Sequence, residues 1–150
     1  MTREEKRQHV ICSCIAVQEQ IANVAKQEMD SAQQQSNDYG ANVDRYDSYR
    51  TKMMRSRDMY ARQYSNALAG VRALQDLLKL PPFDAAAHGA CVVTNSSRFL
   101  MAIGAGKFMV GNEVYFAISA QTPIYMALKG KRVGDTIVFN GQSQTIKEIF

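Results

Sequence analysis

The stretch TPIYMALKGKRVGD, residues 122–135, packs a helix start, a helix stop and a basic turn into one short segment. Thr122 is a preferred N-cap residue and Pro123 suits the first helical position, where a missing N–H costs nothing. Gly130 supplies a C-terminal stop, because it takes a left-handed backbone without penalty. The reading is therefore a single short helix over residues 122–129, followed by a turn carrying Lys129, Lys131 and Arg132.

Around this stretch lie short apolar runs, ACVVT, RFLMAIG, EVYFAIS, TIVF and TIKEIF, separated by Asn-Ser, Gly-Asn, Asn-Gly and other turn signals. Runs of that length broken by such dipeptides read as strands and hairpins. Residues 81–150 are expected to form a small mixed β-sheet domain with one short helix, entered through PPFDAAAHG.

Residues 1–80 have a different texture. Val10, Cys14, Val17, Ile21 and Val24 alternate steps of four and three, with Ile11, Ile15, Ala22, Ala25 and Met29 widening the stripe. Such spacing predicts an amphipathic helix from about residue 3 to about residue 35. SNDYGANVD, residues 36–44, is a cluster of turn formers. Tyr46, Tyr49, Met53, Tyr60, Tyr64, Ala67, Val71, Leu74 and Leu78 then repeat the spacing until Pro81 and Pro82 forbid continuation. Two helices of similar length around a short turn make an antiparallel coiled-coil hairpin. At 1.5 Å per residue such arms would reach roughly 45 Å, so the hairpin is expected to project. Glu28, Ser31 and Ser56 fall on expected seam positions, which predicts a wet tip and an anchored base. The fold class is α+β, a helical hairpin followed by the sheet domain.

Composition sets wider bounds. The chain has 150 residues, 46% of them hydrophobic, enough for one substantial core or two small units. Eighteen basic against 14 acidic residues give a net charge of +4, compatible with a polyanionic partner without requiring one. Cys12, Cys14 and Cys91 make an odd count at spacings that build no disulfide framework, so a cytoplasmic, reducing compartment is expected. Cys-x-Cys on a continuous helix points two thiolates about 200° apart, which disfavours a zinc site with His9. Cys91, in a strand, reads as packing. Glu4 and Glu5 spoil a signal-peptide reading of the N-terminus, and no apolar run approaches the roughly 18 residues of a membrane span.

TPIYMALKGKRVGD resembles, without gaps, the Ser-Pro-Ile-Gly-Arg-Ala-Leu-Ile-Gly-Lys-Lys-Val-Gly-Asp signature of the Gre transcript-cleavage factors. The matched positions are Pro123, Ile124, Ala127, Leu128, Gly130, Lys131, Val133, Gly134 and Asp135, and TIKEIF is similar to that family's final strand. The Gre family joins an N-terminal helical hairpin to an FKBP-like sheet domain in this order, so the resemblance spans the chain. It implies a factor that docks at the secondary channel of bacterial RNA polymerase and inserts its hairpin toward the active centre. There it would promote transcript cleavage by the polymerase itself and have no reaction of its own. Pro123, Ile124 and Tyr125 would then be the apolar polymerase contact and Lys129, Lys131 and Arg132 its charged rim. The alternative is that Ile124 and Leu128 are core and the basic residues a solvated turn.

In the Gre family an acidic pair at the hairpin tip helps hold a second magnesium ion shared with the polymerase. Magnesium takes oxygen ligands and often only one or two carboxylates from a given protein. By resemblance Asp38 is the metal-associated acid, no ion being held stably by the chain alone. The second acid is replaced by Ala41, leaving Asp44 as the other candidate catalytic carboxylate. Asp38 and Asp44 also suit ordinary turn and cap roles.

From Asp30 to Asp47 four acids and one arginine sum to −3, whereas residues 50–62 hold five basic residues and Asp58, a sum of +4. Lys52, Arg55 and Arg62 share one helix face, with Arg50 and Arg57 beside it. This basic shaft is expected to face the nascent RNA 3′ end, or else to be a solvated face. The tyrosines read as seam residues before stacking platforms. The chain is expected to be a monomer away from membranes. Three functions stay open: a cleavage-stimulating factor, a channel-binding regulator without cleavage activity, and an interaction module with no polymerase role.

Overall fold

The structure is a computed structural model describing residues 2–38 and 47–150, without the side chains of Asp38 and Asp47. Its elements are α1 (Arg3–Asp38), α2 (Asp47–Leu78), β1 (Cys91–Thr94), β2 (Arg98–Met101), β3 (Gly106–Val110), β4 (Glu113–Ile118), α3 (Pro123–Leu128), β5 (Thr136–Phe139) and β6 (Gln142–Ile149). This is the expected α+β order of two long helices, a mixed sheet and one short helix. Most of the expected turn at 36–44, with Asp44, lies outside the described residues.

Packing divides the chain into two compact units, Met1–Val17 with Gly70–Phe150, and Gln18–Ala69. The expected boundary at residues 80 and 81 marks where helix gives way to strand, but the helix ends belong with the sheet. The reason is a shared core. Val10, Ile11 and Cys14 of α1 and Leu74 and Leu77 of α2 are buried in one cluster with Cys91, Leu100, Phe108, Tyr115 and Phe150.

Within this first unit the six strands run in the order β3-β4-β2-β1-β6-β5. The β2–β4 pair is parallel and the other neighbours are antiparallel. Alternation along each strand sends one set of side chains to the helix ends and the other to α3. The second set, including Val92, Phe99, Met101, Ile137 and Ile146, buries Ile124, Tyr125 and Leu128 of α3. The sheet is therefore the middle of three layers, each face covered by helix.

The sequence runs did not contain β3. It opens on Gly106 and Lys107 and is short, and its only strand signal is that Phe108 and Val110 are buried while Lys107 and Met109 are exposed. The two tight hairpins follow their turn chemistry. Asn140 and Gly141 have φ of 52° and 76°, the pair of positive angles that a type I′ turn requires, and Gly111 (φ 61°) opens the β3–β4 turn.

In the second unit, Gln18–Ala69, the described residues belong to α1 and α2 alone, and the two helices run antiparallel. Arg57 Nη1 on α2 donates to Gln33 Oε1 on α1 at 2.7 Å, and the Tyr49 hydroxyl lies 3.4 Å from Gln35 Oε1. The buried residues of α1 here are Gln18, Ala22, Ala25, Ala32 and Ser36, whereas Ile21 is 43% and Val24 45% exposed. The expected stripe therefore rotates by one position beyond Val17. Glu28 and Ser31 also leave the seam, and Met29 and Ala32 take their places. Volume explains the rotation. The opposing seam of α2 is bulky, with Tyr49, Met53, Tyr60 and Tyr64 half-buried, so α1 presents its small side chains to it and turns its β-branched ones away.

Candidate functional site

Two surfaces carry the residues singled out from the sequence, one in each unit. On α2, the exposed Lys52, Arg55 and Arg62 form no hydrogen bond or ion pair with any described residue. Arg57, one face over, is engaged: its guanidinium pairs with Asp58 at 2.7 Å and reaches Gln33. Ser48, Thr51, Lys52 and Arg55 line one shallow depression. Steps of three and four place two hydroxyls and two cations on the same helix face with no carboxylate among them. That set suits phosphate oxygens, with the hydroxyls as hydrogen-bond donors and the side-chain cations as counter-charge. Asp38 ends α1, but its side chain, like the whole of Asp44, lies outside the described residues.

In the sheet unit, α3 and its turn have well-defined geometry. Thr122 occupies the N-cap position with extended backbone (φ −86°, ψ 146°), yet its hydroxyl donates to the Ser119 carbonyl at 2.7 Å and does not cap the helix. Gly130, at φ 80°, ends the element, and its N–H donates to the Ala86 carbonyl at 2.7 Å. The Arg132 N–H donates to Asp135 Oδ2 at 2.8 Å, and the Asp135 N–H returns to the Arg132 carbonyl at 3.0 Å, closing the basic turn.

Ile124 and Tyr125 are buried against the sheet, so they are core residues and cannot supply the exposed apolar contact expected of them. Their spacing with Leu128 places all three on the inward face of α3. The outward surface consists of Pro123, Met126, Lys129, Lys131, Arg132 and Val133, with Met126 64% exposed. Met126 was not singled out in the sequence, and Val133 only as a matched position of the signature. The signal that would have found Met126 was available: on a helix whose inward face is Ile124 and Leu128, residue 126 points away.

Of the cysteines and the histidine weighed from the sequence, His9 and Cys12 are exposed, and packing accounts for the other two. Cys14 and Cys91 are buried free thiols, pushed up to about 11 and about 12 by burial, and so stay protonated at neutral pH. His88 Nδ1 lies 3.3 Å from the Tyr125 hydroxyl, which gives that buried phenol a polar partner. No helix among the described residues is long and apolar enough to cross a membrane.

No family model matches the chain, and no curated protein matches it. Among solved structures it is similar to the crystal structure of GreA factor homolog 1 (Gfh1) protein of Thermus thermophilus, at 16% identity over 91% of this chain and 94% of that chain, with a TM-score of 0.34.

Proposed function

We propose that the protein is a Gre-type regulator of transcription elongation that binds bacterial RNA polymerase through the outward surface of α3 and its basic turn. The observation that carries this reading is the stretch 122–135. Its match to the Gre signature comes with a folded form in which Met126 and Val133 lie exposed beside Lys129, Lys131 and Arg132. Exposed apolar residues and cations carried on one helix–turn segment make a sound anchor for an acidic protein surface, because the apolar contact supplies affinity and the charges supply orientation and rate. The free cations of α2 would follow the transcript backbone, and Asp38 and Asp44 would lend oxygen ligands to a magnesium ion held chiefly by the polymerase. The protein has no reaction of its own in this reading; it alters that of its partner. Ala41, where the Gre signature has its second tip acid, favours a second form in which the factor binds and retunes the polymerase without promoting hydrolysis.

The test is co-migration with core polymerase at low salt, followed by incubation of stalled elongation complexes with protein and magnesium. Met126→Glu, on an exposed position, is expected to weaken binding at least tenfold while leaving the fold intact. Absence of co-migration for the parent protein would sink the proposal. Binding without shortened transcripts would select the form without hydrolysis.

A further inference from the structure

The sheet unit holds a cleft of about 470 Å³ between the first turns of α1 and the helix-facing side of the sheet. Of the functional residues considered above only His9, weighed and disfavoured as a zinc ligand, lines it. In register, Val93 on β1 stands between Arg98 on β2 and Glu148 on β6, and Val110 on β3 pairs with Glu113 on β4. Val93, Val110 and the Phe150 ring give the cleft an apolar floor. Two ion pairs bracket it, Lys6 with Glu148 at 2.8 Å and Arg98 with Glu113 at 3.3 Å. Each pair leaves capacity unused, since only one oxygen of each carboxylate is engaged, Lys6 keeps further N–H donors on its one nitrogen, and the pair with Glu113 uses only Nε of Arg98.

Tyr115 lies in the same cleft. It is only 4% exposed, and its hydroxyl has no hydrogen-bond partner among the described residues. Yet no described side-chain polar atom is sealed from solvent without a partner. The Tyr115 hydroxyl therefore meets solvent through the cleft, as a donor with nothing to donate to. Burial pushes its pKa up, so it stays a neutral O–H at any physiological pH.

Charge decides the class of occupant. Two cations and two carboxylates sum to zero, and His9, the remaining titratable lining residue, adds at most one positive charge. A phosphate ester would face two carboxylates, and an amine two cations. A molecule that carries both signs close together on an apolar body meets neither penalty. We propose that this cleft binds a free α-amino acid with an apolar side chain: its carboxylate on Arg98 and the Tyr115 hydroxyl, its ammonium on Glu113, its side chain on Val93, Val110 and Phe150. The volume suits a small ligand of this kind.

The test is a titration of the full chain with L-leucine, followed by backbone amide NMR, with N-acetyl-leucinamide and inorganic phosphate as comparators. Leucine is expected to shift signals from β1, β2 and β4 saturably by about 10 mM, an affinity proper to so small a ligand. The comparators should not. Tyr115→Phe keeps the ring and removes the donor, and should weaken leucine binding about tenfold, as a lost hydrogen bond to a charged group does. Should that variant fail to fold, Glu113→Gln at the exposed rim is expected to show a comparable loss. No saturable shift with leucine, equal shifts with N-acetyl-leucinamide or phosphate, or unchanged binding by the variant that folds would each overturn the proposal. The titration contains no polymerase, so its outcome is independent of the function proposed above.

Discussion

Arg7 is 1% exposed and faces no carboxylate among the described residues, so its removal is the sharpest probe of how the helix ends are fixed to the sheet. Its guanidinium donates to three backbone carbonyls: Leu77, Leu80 at 2.8 Å and Gly89 at 3.2 Å. Leu77 lies in the last turn of α2, where its carbonyl also accepts from the Leu80 N–H at 3.2 Å, and Leu80 lies just beyond the helix. The negative end of the helix dipole favours a cation there, and the Phe83 ring 5.5 Å away adds its face. Burial nevertheless pushes the Arg7 pKa down, a sign that the charge is held at some cost. Hydrogen bonds to a charged group contribute about 1.5–3 kcal/mol each, so three give a gross stabilisation of about 4–9 kcal/mol. Removing the charge returns several kcal/mol of desolvation, and the carbonyl of the exposed Leu80 can turn to water. Arg7→Met is therefore expected to destabilise by about 2–4 kcal/mol, a fall in melting temperature on the order of 4–16 °C for a chain of this length. Arg7→Lys should be no better, because an ammonium keeps the buried charge and cannot span three carbonyls. Urea denaturation followed by circular dichroism measures both. If Arg7→Met proves as stable as the parent, the guanidinium is not what caps α2, and the account of how the helix ends join the sheet fails.

Two further outcomes follow from the same core. Gly89 has φ of 98°, and a Cβ there would meet Leu77 Cδ2 at 3.0 Å, so Gly89→Ala is expected to cost about 2 kcal/mol. Gly104→Ala, whose Cβ would meet only Ser119 at 3.5 Å, serves as a near-neutral control in the same melting experiment. The thiols give a pH dependence. An unfolded chain loses thiol protons near pH 9, whereas burial holds Cys91 to about 12 and Cys14 to about 11. The folded state then binds more protons than the unfolded one, so stability falls as pH rises above 9. From pH 9 to 11 Cys91 alone should account for about 2 kcal/mol of that fall. Cys91→Ala, which removes the proton and leaves only a small cavity, should flatten the slope of denaturation midpoint against pH by that share, whatever constant offset the cavity adds. Identical slopes for the two proteins would refute the assignment.

The sequence made some of this architecture legible and hid the rest for physical reasons. Pro81 and Pro82 bar α2 from continuing because a proline ring cannot extend a helix, and Asn140-Gly141 makes its hairpin because both positions need positive φ. Those are local rules, and no tertiary contact overrides them. The α1 seam is not local. Periodicity shows that a helix has an apolar side, but which of two adjacent rows is buried depends on the volume opposite. Against the tyrosines of α2, alanine fits where isoleucine and valine do not. The core of the sheet unit was hidden for a similar reason, since it is assembled from residues as distant as Val10 and Phe150. Neither the Arg7 cap nor the Tyr115 cleft has a sequence signature, because each depends on carbonyls or side chains brought together only by that core.

The stretch 122–135 shows why matching a signature and locating a binding surface are different inferences. Of its nine matched positions, Ile124 and Leu128 are core, Pro123 starts the helix, and Gly130 and Gly134 hold φ of 80° and 92° that a side chain would strain. Asp135 closes the turn on Arg132, while the backbone of Gly134 and Asp135 bonds to that of Ile146 at 2.9 Å in both directions. Six of the nine are thus accounted for by the requirements of one helix–turn geometry, whatever that geometry is used for. A substitution at Leu128 or Gly130 would abolish the proposed polymerase binding by unfolding α3, and so could not distinguish a contact from a scaffold. The informative positions are those the fold leaves free: Lys131 and Val133 within the match, and Met126, Lys129 and Arg132 outside it. Loss of binding by Met126→Glu in a protein that melts normally would locate the contact on this surface, and retention of binding would leave the resemblance as one of fold alone.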